Sequence, residues 1–347
     1  MDTKKFTYII MPNLQLFAGQ LNTNVTTDPG LSAENKTFYD MALIQEASPQ
    51  LVHDQFGQKR PIPKNGGKKI EFRKYASLPK ALTPLTEGVT PDGKKLSVST
   101  IEAEVAQYGD FVALSDVLEL TAIDNNVLEA TKAIGKQAGL TLDTITRNVL
   151  QSGTNVFYCP PVDADGKVTG ASPTSRSELT ANCKLTVRVV KRIATLLKAA
   201  NAPKINGTYV CICHPFAVYD LTNDPKWEEM HKYCKPEEMY EGEIGRIAGV
   251  RFVETSEAAI FTGSGCPNGL AVYGSLFLAE NAYGVTDIAG GGLQTIIKQL
   301  GSAGTADPLD QRSTVGWKAI KTAEILLEPY MIRVESCGEF SSDAEAN

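Results

Sequence analysis

The sequence predicts an α+β fold of two lobes, with an arm and a β-ribbon that leave the body. Three observations carry this. Residues 126–151 hold one long helical stripe, residues 58–95 are too polar and proline-rich to form a sheet centre, and residues 183–287 alternate helix and strand before strands alone return. A chain of 347 residues has room for two domains at about 150 residues each. Its composition, 42% apolar and 21% charged, is ordinary for a globular protein and excludes wholesale disorder, collagen-like repetition and a disulfide scaffold.

Residues 1–33 contain Asn22, Thr23, Asn24, Thr26, Thr27, Asp28, Pro29 and Gly30 without a sustained period, which predicts an extended arm ordered only against another surface. Pro12, Asn13 and Gln15 interrupt the apolar run behind Lys4 and Lys5, so a signal peptide is not expected. Over residues 34–56, Phe38, Met41, Ile44, Ala47 and Leu51 recur every three or four positions, with Ser32 as N-cap and Gly57 as stop. That is an amphipathic helix with a break at Pro49.

The ribbon follows. Ile70 and Phe72 alternate with Glu71 and Arg73, turn signals crowd residues 61–67 and 79–91, and the return runs through Ile101, Ala103, Val105, Tyr108, Val112 and Leu114. The apolar phase of this return slips, so a bulge is expected near residues 107–109. Charge is sorted by sign: residues 58–95 hold ten Lys or Arg against Glu71, Glu87 and Asp92, whereas residues 100–131 hold seven acids and no base. Complementary fields of this kind orient copies head to tail, although a solvated ribbon is the plain alternative.

Val127, Ile134, Ala138, Leu142, Ile145 and Val149 place the spine helix, capped by residues 124–126 and ended by Gly153. A type I′ turn is expected at Asp165-Gly166. In the second lobe, residues 185–200, 215–221 and 227–233 read as helices and residues 208–213 and 250–255 as strands. Residues 295–300 and 314–336 return as strands, expected beside the long helix.

Little in the chain supports catalysis. The best metal candidate is Cys211-x-Cys213-His214 with His231-x-x-Cys234, but neither half has the usual zinc spacing, and strand cysteines are more often small core residues. Asp163-x-Asp165-Gly166 lacks the remaining ligands of a calcium loop, and the glycine clusters at 263–269 and 290–292 match no phosphate-binding pattern. His53, His214 and His231 are the only histidines, no nucleophile elbow occurs, and the acid pairs Glu228-Glu229 and Glu237-Glu238 sit in a charged helical segment. No enzyme, cofactor or metal is expected. Seven cysteines without framework spacing suit a reducing compartment. A net charge of −6 gives no general grip on polyphosphate, and the longest uncharged apolar run, residues 269–279, is too short to span a membrane.

This order of parts resembles the major capsid proteins of tailed bacteriophages. The segment Met11-Pro12-Asn13-Leu14-Gln15-Leu16-Phe17-Ala18 is similar to the start of such proteins in phages of Gram-positive bacteria. Thr86-Glu87-Gly88-Val89-Thr90-Pro91 resembles the ribbon-tip motif of the family typified by a coliphage podovirus coat protein. His214-Pro215 with Tyr219-Asp220-Leu221, Asp224 and Trp227, then Gly245-x-Ile247-x-Gly249-Val250-x-Phe252-Val253-Glu254-Thr255, resembles that family's second lobe.

The resemblance implies the Hong Kong 97-like (Johnson) capsid fold. Its parts would be an N-terminal arm (1–33), a helix (34–56), an extended loop (57–110), a peripheral domain (111–182 and 288–347) and an axial domain (183–287). It implies self-assembly into hexamers and pentamers of an icosahedral head around double-stranded DNA, in the virion, after assembly in the bacterial cytoplasm. Portal and scaffolding proteins are then expected partners, with DNA in weak contact and no membrane. The expected contacts between copies are Lys59, Arg60, Lys68, Lys69, Arg73 and Lys74 on the ribbon, with Glu102, Glu104, Asp110 and Asp116 as acceptors. A bacterial nanocompartment shell of the same fold, and a Cys/His metal enzyme, are the alternatives.

Overall fold

A computed structural model describes residues 43, 51–61, 68–75, 78, 80–85, 87, 88, 90, 93–121, 126–231, 246–267, 269–286, 293–302 and 307–347. The expected N-terminal arm, the caps at 124 and 125, Cys234 and the glycine cluster at 290–292 lie outside these residues. So does most of the helix at 34–56; Leu43 is helical and buried.

In chain order, the first half contains β1 (Gln58–Arg60), β2 (Lys69–Tyr75), β3 (Val98–Glu104), β4 (Ala106–Ser115), α1 (Asp116–Thr121), α2 (Asn126–Gln151), β5 (Val156–Tyr158) and α3 (Val187–Ala199). The second contains β6 (Tyr209–Cys213), α4 (Pro215–Thr222), α5 (Pro225–His231), β7 (Arg246–Ile247), β8 (Val250–Glu254), β9 (Ile260–Phe261), β10 (Val272–Leu278), β11 (Tyr283–Thr286), β12 (Leu293–Lys298), β13 (Arg312–Lys321), β14 (Ala323–Ile325) and β15 (Met331–Ser336). Among the described residues no helix is long and apolar enough to cross a membrane.

The apolar run at 269–279 is the centre of the largest sheet. All seven residues of β10 are buried, and the strand order is β5-β15-β10-β6-β8-β7, with β9 also on β10. Helix α3 covers one face through Val189, Val190, Ile193 and Leu197, against Cys211, Cys213, Phe277 and Val334. Leu150 at the end of α2, with Tyr283, Val285 and Ala323 of the three-stranded sheet β1-β11-β14, covers the other.

Helix α2 is the spine. Its 26 residues span about 39 Å. Ile134, Ala138 and Leu142 pack on Val315, Trp317 and Ala319 of β13, the centre of the sheet β12-β13-β4, while Leu150 reaches the second core. The strand return therefore divides: β13 lies beside the helix as expected, whereas β15 pairs with β10 and β5. The seven-stranded sheet thus takes strands from both sides of the boundaries expected at 182 and 288.

Three local expectations are corrected. The chain turns at 53–56 instead of remaining helical, because His53 and Asp54 are drawn inward by polar partners. The His53 backbone N–H donates to Asp143 Oδ1 (2.7 Å), its Nδ1 lies 2.7 Å from Asp143 Oδ2, and Tyr283 donates to the His53 carbonyl. The break in the return strand falls at Val105, not at 107–109. There the chain leaves the β2–β3 ribbon for the β13 edge, which it follows without interruption from Ala106 to Ser115. At 163–166, the Gly166 N–H donates to the Asp163 carbonyl and only Gly166 takes positive φ (68°). Ala164 and Asp165 keep negative φ, so the turn is type I followed by a left-handed glycine.

The second-lobe motif is structural. His214 Nδ1 accepts from the Phe216 N–H (3.2 Å) and caps α4, with Pro215 in the first turn; burial pushes the imidazole pKa down. Asp224 Oδ2 accepts from the Val187 N–H (2.9 Å), capping α3 from outside, and its Oδ1 accepts from the Lys226 N–H (3.0 Å). Buried Asp220 lies 3.1 Å from Lys184, and an added Cβ at Gly338 would overlap the Asp220 carboxylate.

Candidate intersubunit surface

The ribbon is a two-stranded unit whose base alone is buried. Strands β2 and β3 pair antiparallel from Lys69↔Glu104 to Tyr75↔Val98. Ile70, Phe72 and Ala103 face inward with Ile101, Val105 and Leu326 around them, and the Phe72 ring sits on Gly284 of β11, where a Cβ would collide with it. Beyond this anchor every described residue from 78 to 100 is exposed. A two-stranded ribbon without a covered face is marginal in water.

The charged contact candidates are dispersed. Lys59 and Arg60 are exposed on β1, which pairs with β11 in the body and is not part of the ribbon. Lys68 and Lys69 are exposed at the ribbon base, and Lys74 occupies the β2 position opposite Ser99. Lys69 Nζ is 2.5 Å from Glu102 Oε2 of its own ribbon, and that hydrogen bond holds the ammonium pKa above its usual range. Arg73 lies 3.9 Å from Glu71. Glu102 and Glu104 are both on β3, so they belong to the donor ribbon instead of a receiving lobe. Asp110 accepts from Gln137 Nε2 (2.7 Å) and the Phe111 N–H (2.8 Å), which together hold its carboxyl below the usual range. Asp116 opens α1 and accepts from the Val117 N–H (2.8 Å). Of the four expected acceptors, only Asp110 and Asp116 lie outside the ribbon.

Exposed apolar side chains form a second set that charge counting missed. On the loop, Leu78, Leu82, Leu85 and Leu96 are exposed, Leu82 by 82% and Leu85 by 76%. On the β12-β13-β4 sheet and α1, Phe111 (67%), Val117, Leu118, Leu120 (84%) and Ile296 are exposed. Phe111, Gly316 and Ile296 stand in one row across β4, β13 and β12. Val315, Trp317 and Ala319 face α2, so this row faces away from the spine.

Gly316 shapes that face: a Cβ there would come within 2.9 Å of Phe111 Cβ, and its absence leaves a shallow depression of about 450 Å³ beside Phe111, Ile296, Thr314 and Lys318. A sequence signal existed in residues 111–120, which are apolar at seven of ten positions yet follow neither a clean strand nor a clean helix period.

Cys211 and Cys213 are fully buried in the core under α3, and burial pushes the Cys211 thiol pKa well up. Among the described residues no group of three or more His, Cys, Asp or Glu could hold a metal ion.

Solved phage capsids share this fold. The chain superposes on the capsid of Ralstonia phage GP4 with a TM-score of 0.62 at 16% identity, covering 85% of this chain and 90% of that one. For the capsid of cyanophage Pam1 the values are 0.59, 14%, 85% and 93%, and for that of cyanophage P-SCSP1u 0.58, 12%, 83% and 89%. At such identities these likenesses show the fold, which is the Hong Kong 97-like one. No curated protein matches the sequence. A profile of phage capsid proteins matches residues 38–272, more than half of the sequence, and the chain belongs to that family.

Proposed function

We propose that copies of this chain close into hexamers and pentamers of an icosahedral phage head around double-stranded DNA. The axial part is the seven-stranded sheet with α3, and the peripheral part is α2 with the β12-β13-β4 sheet. The exposed loop of one copy lies across the outer face of that sheet in the next. Assembly takes place in the host cytoplasm, with portal and scaffolding proteins as further partners.

The observation that carries this reading is the pair of exposed apolar surfaces, one on the loop and one on a sheet face of the same chain. Magnitudes favour them over the charges as the main source of affinity. Fully burying a leucine contributes about 1.5–3 kcal/mol, whereas an exposed ion pair contributes about 0–1 kcal/mol. The basic ribbon then sets approach and register, and the leucines hold the contact.

The test is negative-stain microscopy and sizing of the wild type, of Leu82→Asp/Leu85→Asp and Phe111→Asp, and of Lys68→Glu/Lys69→Glu. Wild type should form closed shells. The loop and sheet variants should stay as small species with unchanged thermal unfolding, and the charge reversal should slow or misdirect assembly. Normal shells from all three variants would overturn the assignment, and shells filled with an enzyme in place of DNA would identify a nanocompartment.

A further inference from the structure

Helix α3 carries a one-signed charged face that the loop contact does not use. Arg188, Lys191, Arg192 and Lys198 are all exposed, and at 100° per residue they fall within about one third of the helix circumference. No acid occurs between Glu178 and Asp220, although acids outnumber bases 40 to 34 in the chain. Asp220 itself is buried and engaged by Lys184. None of the four bases makes an ion pair among the described residues. The opposite face of the helix is the core-forming stripe, so the element is rigidly seated.

Two features separate this face from an ordinary solvated one. Exposed helices usually mix signs, since acid–base pairs three or four residues apart add stability. Here the first turn, where the helix dipole favours an acid, holds Arg188, and the compensating charge comes from Asp224 between α4 and α5. The face also does not resemble a protein-binding surface. Leu196 is its one large apolar side chain, and lysine is depleted from the centres of protein interfaces. Small Thr195 and Ala199 leave the middle of the stripe open to close approach, and Arg192 is held 4.9 Å over the Phe157 ring.

We propose that the exposed face of α3 binds the phosphate backbone of duplex DNA, without base readout. This rests on the capsid reading, and it locates the weak DNA contact expected of a shell subunit. Three or four phosphate contacts per copy are labile to salt individually and are multiplied by the number of copies in a shell.

The experiment measures fluorescence anisotropy of a labelled duplex of about 30 base pairs with the full chain, over about 25–150 mM NaCl. The variant is Arg188→Gln/Lys191→Gln/Lys198→Gln, which spares Arg192 because of its packing on Phe157. At about 0.9 per neutralised phosphate, the slope of log K against log salt should become shallower by about 2.7, and affinity at low salt should fall roughly tenfold or more. The double variant Lys191→Gln/Lys198→Gln should lose about 1.8 and serves if the triple variant unfolds early. A control, Lys94→Gln/Lys95→Gln, should leave the slope unchanged.

An unchanged slope in the α3 variants overturns the inference. So does loss of shell formation with DNA binding intact, which would make α3 an interface between copies. Wild-type shells with no DNA affinity refute this inference alone, whereas absence of shells refutes the capsid reading.

Discussion

Asp54 shows how a polar residue holds this fold together. Its carboxylate accepts from Lys321 Nζ and from Thr146 Oγ1 (2.7 Å), tying the turn before the ribbon to β13 and to the spine. Lys321 is fully buried; burial pushes its ammonium pKa down, and Asp54 opposes that shift. Asp54→Ala would leave an uncompensated buried cation and should destabilise the chain by about 3–5 kcal/mol in denaturant unfolding. Asp54→Ala/Lys321→Met should recover much of that loss. Asp110 is a second case. Its pKa is lowered first by Gln137 and then by the Phe111 N–H, so its ionised form favours the fold. That contribution is complete above the ordinary value of 3.8 and is lost as pH falls through the lower folded value. Gln137→Leu should therefore move the Asp110 titration, followed by NMR, up toward 3.8, and its destabilisation at neutral pH should shrink in acid. None of this was legible in the sequence, because Asp54 and Lys321 are 267 residues apart. His53 was read on a helical face, and only its partner Asp143 reveals the turn.

Among the elements, those with one strong period were the most legible. Helix α2 runs over residues 126–151 as expected, because its stripe meets one sheet for most of its length. Helix α3 and strands β6 and β8 also fall within two residues of their expected bounds, since each has a buried face on a single core. The return strand was harder. Its residues serve two sheets, so its alternation restarts at Val105, and β4 is an edge strand whose burial pattern carries little period. The ribbon base offers a test of how the loop is aimed. Gly284→Ala would push the Phe72 ring out of its seat and should cost about 1–3 kcal/mol. Limited proteolysis should then cut the ribbon faster, while α2 remains protected.

At the scale of the whole molecule, the sequence placed the expected contact between copies on charge. The structure exposes leucines on the loop and sets Phe111, Gly316 and Ile296 in one row, which gives the proposed contact an apolar part. That shift was not legible because exposure of an apolar residue is a property of tertiary packing; Leu82 and Leu85 read in sequence as ordinary loop residues. Under the proposed assembly such exposure has a use, since a shell subunit would keep those surfaces for its neighbours. The most direct measurement is a cryo-microscopy reconstruction of the particles formed by the purified chain. The account expects closed shells in which residues 78–97 cross to the next copy and Leu82 and Leu85 are buried on its β12-β13-β4 face. A solitary particle, or a shell in which that loop packs against its own body, would contradict it.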